Sequence, residues 1–298
     1  MKKKISAVIN TFNEENNLKR AMVSLKDWVD EIVVCDMYST DNTVKVAKNL
    51  GAKVYFYKYS GFVEPARNFA ISKTSHEWVL ILDADEEIPN ELANEIKKML
   101  EKGINSDFVE IPRKNIIFGK WMKASMWWPD YQIRLFKKGY VEWSEKIHRP
   151  PKTSGQDLRL SPDESYAILH HNYQSISQFI DRMNRYTDIE AKQLFKGGYK
   201  FDWKDLIKKP LEEFLSRFFA NKGYEDGIHG LGLSLLQAFS FLVLYTKLWE
   251  MVGFKESSIN LSEIDEEKEK MGRIINYWFK QSAFSKNPFK RLLKKLQI

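Results

Sequence analysis

Trp78-Val79-Leu80-Ile81-Leu82-Asp83-Ala84-Asp85-Glu86-Glu87 is the stretch that decides the fold. Five apolar residues in a row end abruptly in acids. That pattern reads as a buried strand running out at a polar edge. Its neighbours repeat the theme. Residues 5–9, Ile-Ser-Ala-Val-Ile, form a shorter apolar run that delivers Asn10-Thr11-Phe12-Asn13-Glu14. Residues 31–35, Glu-Ile-Val-Val-Cys, deliver Asp36, and 53–57 supply a further strand.

Helical segments separate these strands. Residues 14–26 carry Leu18, Ala21, Met22 and Leu25 at helical spacing. Ser39, Thr40 and Asp41 offer capping oxygens to a helix over 42–50, which Gly51 ends. Pro65 opens another helix at the position proline favours, and Pro89 opens one running to about Glu101. Alternating strands and helices predict an α/β fold, a doubly wound, mostly parallel sheet covered on both faces. Ligands of such sheets bind at the carboxyl ends of the strands. From 106 to 171 the pattern shifts to short strand-like pieces rich in tryptophan and tyrosine. Residues 176–195 read as helix, and from Leu206 the chain is helical and more apolar. The expected division is a catalytic domain over 1–200, with donor binding in 1–113 and the acceptor side in 114–200. A helical C-terminal extension over 201–298 would follow.

Composition bounds the rest. The chain has 298 residues, 43% hydrophobic and 29% charged, enough to bury a core without disulfides. One cysteine, Cys35, excludes a disulfide scaffold and a Cys-based zinc finger. The net charge of +7 is concentrated in the last 14 residues, which carry Lys286, Lys290, Arg291, Lys294 and Lys295 and no acid. The apolar run behind Met1-Lys2-Lys3-Lys4 is too short for a signal peptide, so the expected location is the cytoplasm.

The acidic strand ends converge on one edge, where like charges repel unless a cation or hydrogen-bond donors compensate them. Asp83 and Asp85 would face the same way if the backbone stayed extended, and Mg2+ or Mn2+ is often held by one or two carboxylates plus substrate phosphates. The plainer reading is that Asp85 to Glu87 cap the next helix. Asp36 reads as a helix-capping loop acid or as an acceptor for a base or ribose. Asn13 and Glu14 read as a helix start or as the lining of a nucleoside pocket. Arg67 is a surface arginine or a bidentate phosphate clamp.

Taken in order, these segments resemble glycosyltransferase family 2. The resemblance rests on Asn10-Thr11-Phe12-Asn13-Glu14-Glu15, on Val33-Val34-Cys35-Asp36-Met37-Tyr38-Ser39-Thr40-Asp41-Asn42-Thr43 and on Leu82-Asp83-Ala84-Asp85-Glu86. Gly61-Phe62, Arg67-Asn68 and Gln132-Ile133-Arg134-Leu135-Phe136 are similar to the branch of lipopolysaccharide-core glucosyltransferases. The resemblance implies a GT-A fold and inverting transfer from a nucleotide-diphospho-sugar such as a UDP-hexose. Thr11, Asn13, Glu14 and Asp36 would hold the nucleoside, Asp83 would face the ribose or sugar, and Arg67 would neighbour the diphosphate or base. Asp85 would bind Mg2+ or Mn2+, with His148 and His170 as further candidates for the metal shell.

An inverting displacement needs a general base but no covalent nucleophile. Asp130, after Trp127-Trp128-Pro129, is the first candidate for the base and Glu145 the second. The branch often places an acid after the histidine here, whereas His148 is followed by Arg149. Residues 227–246 carry no charge and approach the length of a bilayer span, yet their small and polar residues favour an interfacial or buried helix. With the basic, leucine-containing tail they suggest an anionic membrane surface as a partner, at the cytoplasmic face of the inner membrane. The acceptor would then be a cell-surface glycan or a lipid-linked glycan such as lipopolysaccharide core. A sugar-nucleotide pyrophosphorylase or a Rossmann dehydrogenase would need a glycine-rich loop after the first strand, and 10–17 contain no glycine. A nucleic-acid-binding module is disfavoured because acids interleave with the bases and sit where the ligand should lie. A catalytically inactive protein of the same fold is the remaining alternative.

Overall fold

The computed structural model describes residues 3–59, 63–144 and 150–281. The elements run β1 (Ile5–Thr11), α1 (Glu15–Leu25), β2 (Glu31–Asp36), α2 (Thr43–Asn49), β3 (Lys53–Phe56), α3 (Glu64–Ser72), β4 (Trp78–Asp83), β5 (Glu86–Glu87) and α4 (Asn90–Lys102). Then come β6 (Phe108–Ile117), β7 (Lys120–Trp121), β8 (Asp130–Lys137), β9 (Val141–Glu142), β10 (Lys152–Thr153), β11 (Asp157–Arg159) and β12 (Ile168–His171). The helices α5 (Ile176–Lys196), α6 (Asp205–Leu215), α7 (Gly227–Met251) and α8 (Leu261–Gln281) follow.

The main sheet has the order β3-β2-β1-β4-β8-β6-β12-β5, with β7 and β11 also paired to β6. Its first half is parallel, as the alternating pattern predicts. β8 then runs antiparallel between β4 and β6. Alternate residues of the strands fill two apolar layers. Ile5, Ala7, Ile9, Leu80 and Leu82 pack against α1 and α4 on one face. Val8, Val33, Cys35, Val79 and Ile81 pack against α3 on the other. Each fully buried Leu or Ile contributes roughly 1.5–3 kcal/mol relative to exposure. This double coverage makes residues 78–82 continuously apolar, because neither face meets water.

Helix boundaries follow local chemistry. Pro89 caps α4 in extended conformation just before its first residue, and Gly103 closes it at φ 79°, a left-handed geometry that costs glycine no Cβ clash. Leu92, Ala93, Ile96 and Leu100 form its buried stripe.

Two compact units emerge. The first is Met1–Trp121 with Trp128–Gln174, and the second is Met122–Trp127 with Ser175–Ile298. The sequence-based boundary near 200 therefore moves to Gln174, and α5 belongs with the later helices. The reason is packing: Ala191 of α5 shares an apolar cluster with Leu244, Tyr245 and Leu248 of α7. In the second unit the Asp226 carboxylate accepts hydrogen bonds from the backbone N–H groups of Lys123 (3.0 Å) and Ala124 (2.8 Å), tying 122–127 to the start of α7. Gly230 allows that start to close, since a Cβ there would lie 1.8 Å from the Gly223 carbonyl oxygen.

Candidate active site

The carboxyl ends of β1 and β2 are stitched together by side chains. Asp36 is fully buried. It accepts from Thr11 Oγ1 (3.0 Å), Ser39 N (2.8 Å) and Ser39 Oγ (2.6 Å). Asn13 sits at φ 56°, and its Oδ1 accepts from Thr40 N at 2.8 Å. The Glu14 backbone N–H donates to Thr43 Oγ1 at 2.8 Å, and its carboxylate accepts from Asn17 at 2.9 Å. The four residues expected around a nucleoside are thus brought together, as a lattice that shapes this edge. Beside it Phe12 stacks on Tyr59, with ring centroids 4.1 Å apart. Cys35 lies beneath, buried; burial and then the Asp36 charge push its thiol up to about 12, so it stays protonated.

The strand carrying Asp83 ends there, and Ala84-Asp85 turn. The condition for the two aspartates to face the same way is not met, and they take separate environments. Asp83 accepts from Arg67 Nη2 (2.6 Å) and Arg134 Nη2 (2.5 Å). Burial pushes the Asp83 carboxyl up, but the guanidinium groups of Arg134, Arg67 and Arg113 outweigh it and hold it well below the usual carboxylate range. Glu86, with no exposed surface, accepts from Arg134 Nη2 (2.5 Å) and Arg113 Nη1 (3.0 Å).

Asp130 continues the network. Its Oδ2 accepts from Arg113 Nε (2.9 Å), Arg113 Nη2 (2.6 Å) and Asn115 Nδ2 (3.0 Å), and its Oδ1 from Gln132 Nε2 (2.9 Å). Burial opposes ionisation, yet Arg113 and these donors hold the Asp130 carboxyl below its ordinary value. A carboxylate so held is a weak proton acceptor. The repulsion among the convergent acids is therefore relieved in large part by arginines on β6, β8 and α3.

Asp85 faces a histidine. Its Oδ2 is 3.5 Å from His170 Nε2, although 85 positions separate the two in sequence. The sheet brings them together. His171 N donates to the Asp85 carbonyl at 2.9 Å, and β12 pairs with β5 so that His170 opposes Glu86. His170 is buried, and its Nδ1 lies 2.7 Å from Asn115 Oδ1. The separation of 3.5 Å exceeds a good hydrogen bond. It is close to the ~3 Å expected between adjacent ligands of an octahedral Mg2+ or Mn2+ with bonds of ~2.1 Å. An oxygen and an imidazole nitrogen fit such a cation, and fit Mn2+ better than Mg2+. Among the described residues no group of three or more His, Cys, Asp or Glu is placed to hold a metal. The remaining positions would go to water and substrate oxygens.

Glu145 and His148 lie outside the described residues, as do Gly61-Phe62 and the basic segment 285–298. The sequence reading missed Arg113 and Asn115. The signal was weak: Arg113-Lys114-Asn115 is an unbroken polar run in β6, and only strand geometry puts the first and third of the three on one face.

The sequence profile of glycosyl transferase family 2 matches residues 6–152. An "uncharacterized glycosyltransferase" of Rickettsia typhi is 32% identical over 260 residues, spanning 84% of this chain and 88% of that protein. The prophage-derived glycosyltransferase SunS of Bacillus subtilis is 24% identical over 99% of this chain and 76% of its own length. Among solved structures, Staphylococcus aureus TarS 1-349 aligns at 16% identity and a TM-score of 0.44, over 82% of this chain and 91% of that one. Glucosyl-3-phosphoglycerate synthase from Mycobacterium tuberculosis, in complex with Mn2+, UDP-glucose and phosphoglyceric acid, aligns at 25% identity and a TM-score of 0.32 over 36% and 43% of the two chains.

Proposed function

Because the chain belongs to glycosyl transferase family 2, a GT-A type α/β domain with a helical C-terminal region, we propose that it is an inverting, cation-dependent hexosyltransferase. The donor would be a nucleotide-diphospho-sugar, with a UDP-hexose the first choice. The observation that carries this reading is the Asp85–His170 pair, 3.5 Å apart at the carboxyl edge of the sheet, beside the Arg67–Asp83 ion pair.

Asp85 and His170 would hold Mn2+ or Mg2+, which when bound supplies charge neutralisation for the departing nucleoside diphosphate. The lattice of Thr11, Asn13, Glu14 and Asp36 would shape the nucleoside pocket, with the Phe12–Tyr59 pair as an aromatic wall. Arg67, which pairs with Asp83 at 2.6 Å, would orient the diphosphate. As the acceptor oxygen bonds to the anomeric carbon and the bond to the diphosphate oxygen breaks, the acceptor proton passes to a carboxylate. The lowered affinity of Asp130 for a proton reverses the order expected from sequence and favours Glu145, two positions beyond Trp143.

The acceptor reading is a glycan or glycolipid, lipopolysaccharide core being one example, met at the cytoplasmic face of the inner membrane. What supports it is α7. Gly223–Met251 is the one stretch among the described residues long and apolar enough to cross a membrane, and only 28% of its most apolar window is buried. Ile228, Leu235 and Phe239 are exposed along it. A helix so weakly covered in water suits an interface with lipid.

Donor use is tested by incubation with a panel of nucleotide-sugars and Mn2+ or Mg2+, reading thermal shift and diphosphate release. A UDP-sugar should stabilise the protein and be turned over, and Asp85→Ala should abolish both responses to metal. An Asp85→Ala protein stabilised by metal and donor as well as the parent would defeat the assignment. Membrane attachment is tested by flotation with phosphatidylglycerol vesicles. Co-flotation reduced in Phe239→Asp supports it, and full recovery of the parent protein in the vesicle-free fraction contradicts it.

A further inference from the structure

We propose that Asp130 and Asn115 form a relay that fixes the tautomer and ring orientation of His170, presenting the Nε2 lone pair, rather than an N–H, to the side occupied by Asp85. This inference rests on the reading of Asp85 and His170 as cation ligands and deepens it. Asp130 thereby becomes a positioning residue.

The relay follows from strand register. On β6, Arg113 and Asn115 are two residues apart and share a face. Arg113 is opposite Asp130 on β8, and Asn115 is opposite His170 on β12. Three adjacent strands therefore place Asp130, Asn115 and His170 in a row, with Asn115 fully buried.

Hydrogen-bond direction along that row is forced. Arg113 donates twice to Asp130 and keeps it ionised, so Asp130 can only accept. The Asn115 atom 3.0 Å from it must be the amide NH2. The Asn115 oxygen then points the other way, 2.7 Å from His170 Nδ1. A carbonyl oxygen only accepts, so Nδ1 carries the hydrogen. In the neutral imidazole this leaves a lone pair on Nε2, the atom 3.5 Å from Asp85 Oδ2. Two acceptors facing each other beyond hydrogen-bond distance form a pair that a cation draws together. Reversing the Asn115 amide would aim its oxygen at a carboxylate and its NH2 at Nδ1, giving the wrong tautomer for metal binding. Such outer contacts of a ligating histidine typically account for about 10–100-fold in metal affinity.

The test uses the full-length protein with UDP present and titrates Mn2+ by the electron paramagnetic resonance of the free ion. The parent, His170→Ala and Asn115→Leu proteins are compared. Both variants should bind Mn2+ at least about 10-fold more weakly, while UDP binding in EDTA stays within about twofold of the parent. In parallel, two-bond 1H–15N correlation of the imidazoles at mildly alkaline pH, without metal, should show His170 as the Nδ1–H tautomer. His170 is identified by its absence from the His170→Ala spectrum. Asn115→Leu should shift that signal toward Nε2–H.

If Asn115→Leu binds Mn2+ like the parent while His170→Ala does not, the relay is wrong and the cation reading stands. If His170→Ala binds like the parent, the cation reading fails and takes the relay with it. The parent spectrum decides even if Asn115→Leu does not fold: an Nε2–H tautomer there overturns the proposal.

Discussion

The two ends of the same strands bury acids in opposite ways. At the amino ends Glu31 is enclosed: its side chain, 5% exposed, accepts from Ser6 Oγ (2.6 Å), Ser75 N (2.8 Å), Ser75 Oγ (2.8 Å) and Lys53 Nζ (2.6 Å). Burial pushes its carboxyl up, but these donors pull it from 4.5 down to about 2. Every donor belongs to a fixed turn or strand start, and the result is a clamp. At the carboxyl ends Asp83, Glu86 and Asp130 are met by Arg67, Arg113 and Arg134, while Asp85 and His170 are held 3.5 Å apart. Both ends satisfy buried charge. The second also sets a carboxylate oxygen and an imidazole nitrogen 3.5 Å apart, and on the proposed reading that spacing serves a cation, which would separate structural from chemical use of one sheet.

Substitutions at either end of the strands test this contrast. The largest expected effect is on activity: Asp85→Ala should lower the transfer rate at least about a hundredfold, with urea stability changed by less than about 1 kcal/mol. A large loss of stability would make Asp85 another clamp like Glu31. Next comes Arg134→Met, which leaves Asp83 and Glu86 short of a buried partner. Urea unfolding should show about 3–5 kcal/mol of destabilisation, and a neutral result would mean that the carboxyl-edge network contributes little to folding.

Glu31→Gln tests the clamp through pH. A folded-state value depressed from 4.5 to about 2 adds stability that is present above the unfolded value and lost as pH falls toward 2. The loss is on the order of 3 kcal/mol. The stability gap between parent and Glu31→Gln, measured in urea, should therefore shrink between pH 5 and pH 3, and a gap independent of pH would contradict the clamp. The smallest effect belongs to Lys53→Met. Lys53 keeps 57% of its side chain exposed, so the change should cost at most about 1 kcal/mol; a larger loss would show that the serines alone do not hold Glu31.

Much of this was legible before any coordinates. Strand and helix order through α4, apart from the two-residue β5, follows from apolar runs, prolines and Gly51, because a doubly covered parallel sheet leaves a clear pattern. Asp36, Asp83 and Asp85 were legible too, as they follow those runs, whereas Asp130 stood out only by the aromatic stretch before it. What was not legible is how the acids are neutralised. Arg134 lies on β8, which pairs antiparallel with β4, and Arg113 lies on β6, whose register with β8 shifts between Val109 and Glu110; no local pattern encodes a register set across the sheet. The turn at Ala84-Asp85 was hidden for a similar reason: two acids spaced by one residue look alike in sequence whether the chain is extended or bent. The Asp85–His170 meeting depends on β12 lying between β6 and β5, a long-range pairing.

The most direct measurement is the anomalous scattering of Mn2+ in crystals grown with a uridine diphosphate. A peak bonded to both the Asp85 carboxylate and His170 Nε2 is expected, with diphosphate oxygens completing its shell. A fully occupied nucleotide with no manganese at that position, or with the ion held elsewhere, would contradict it.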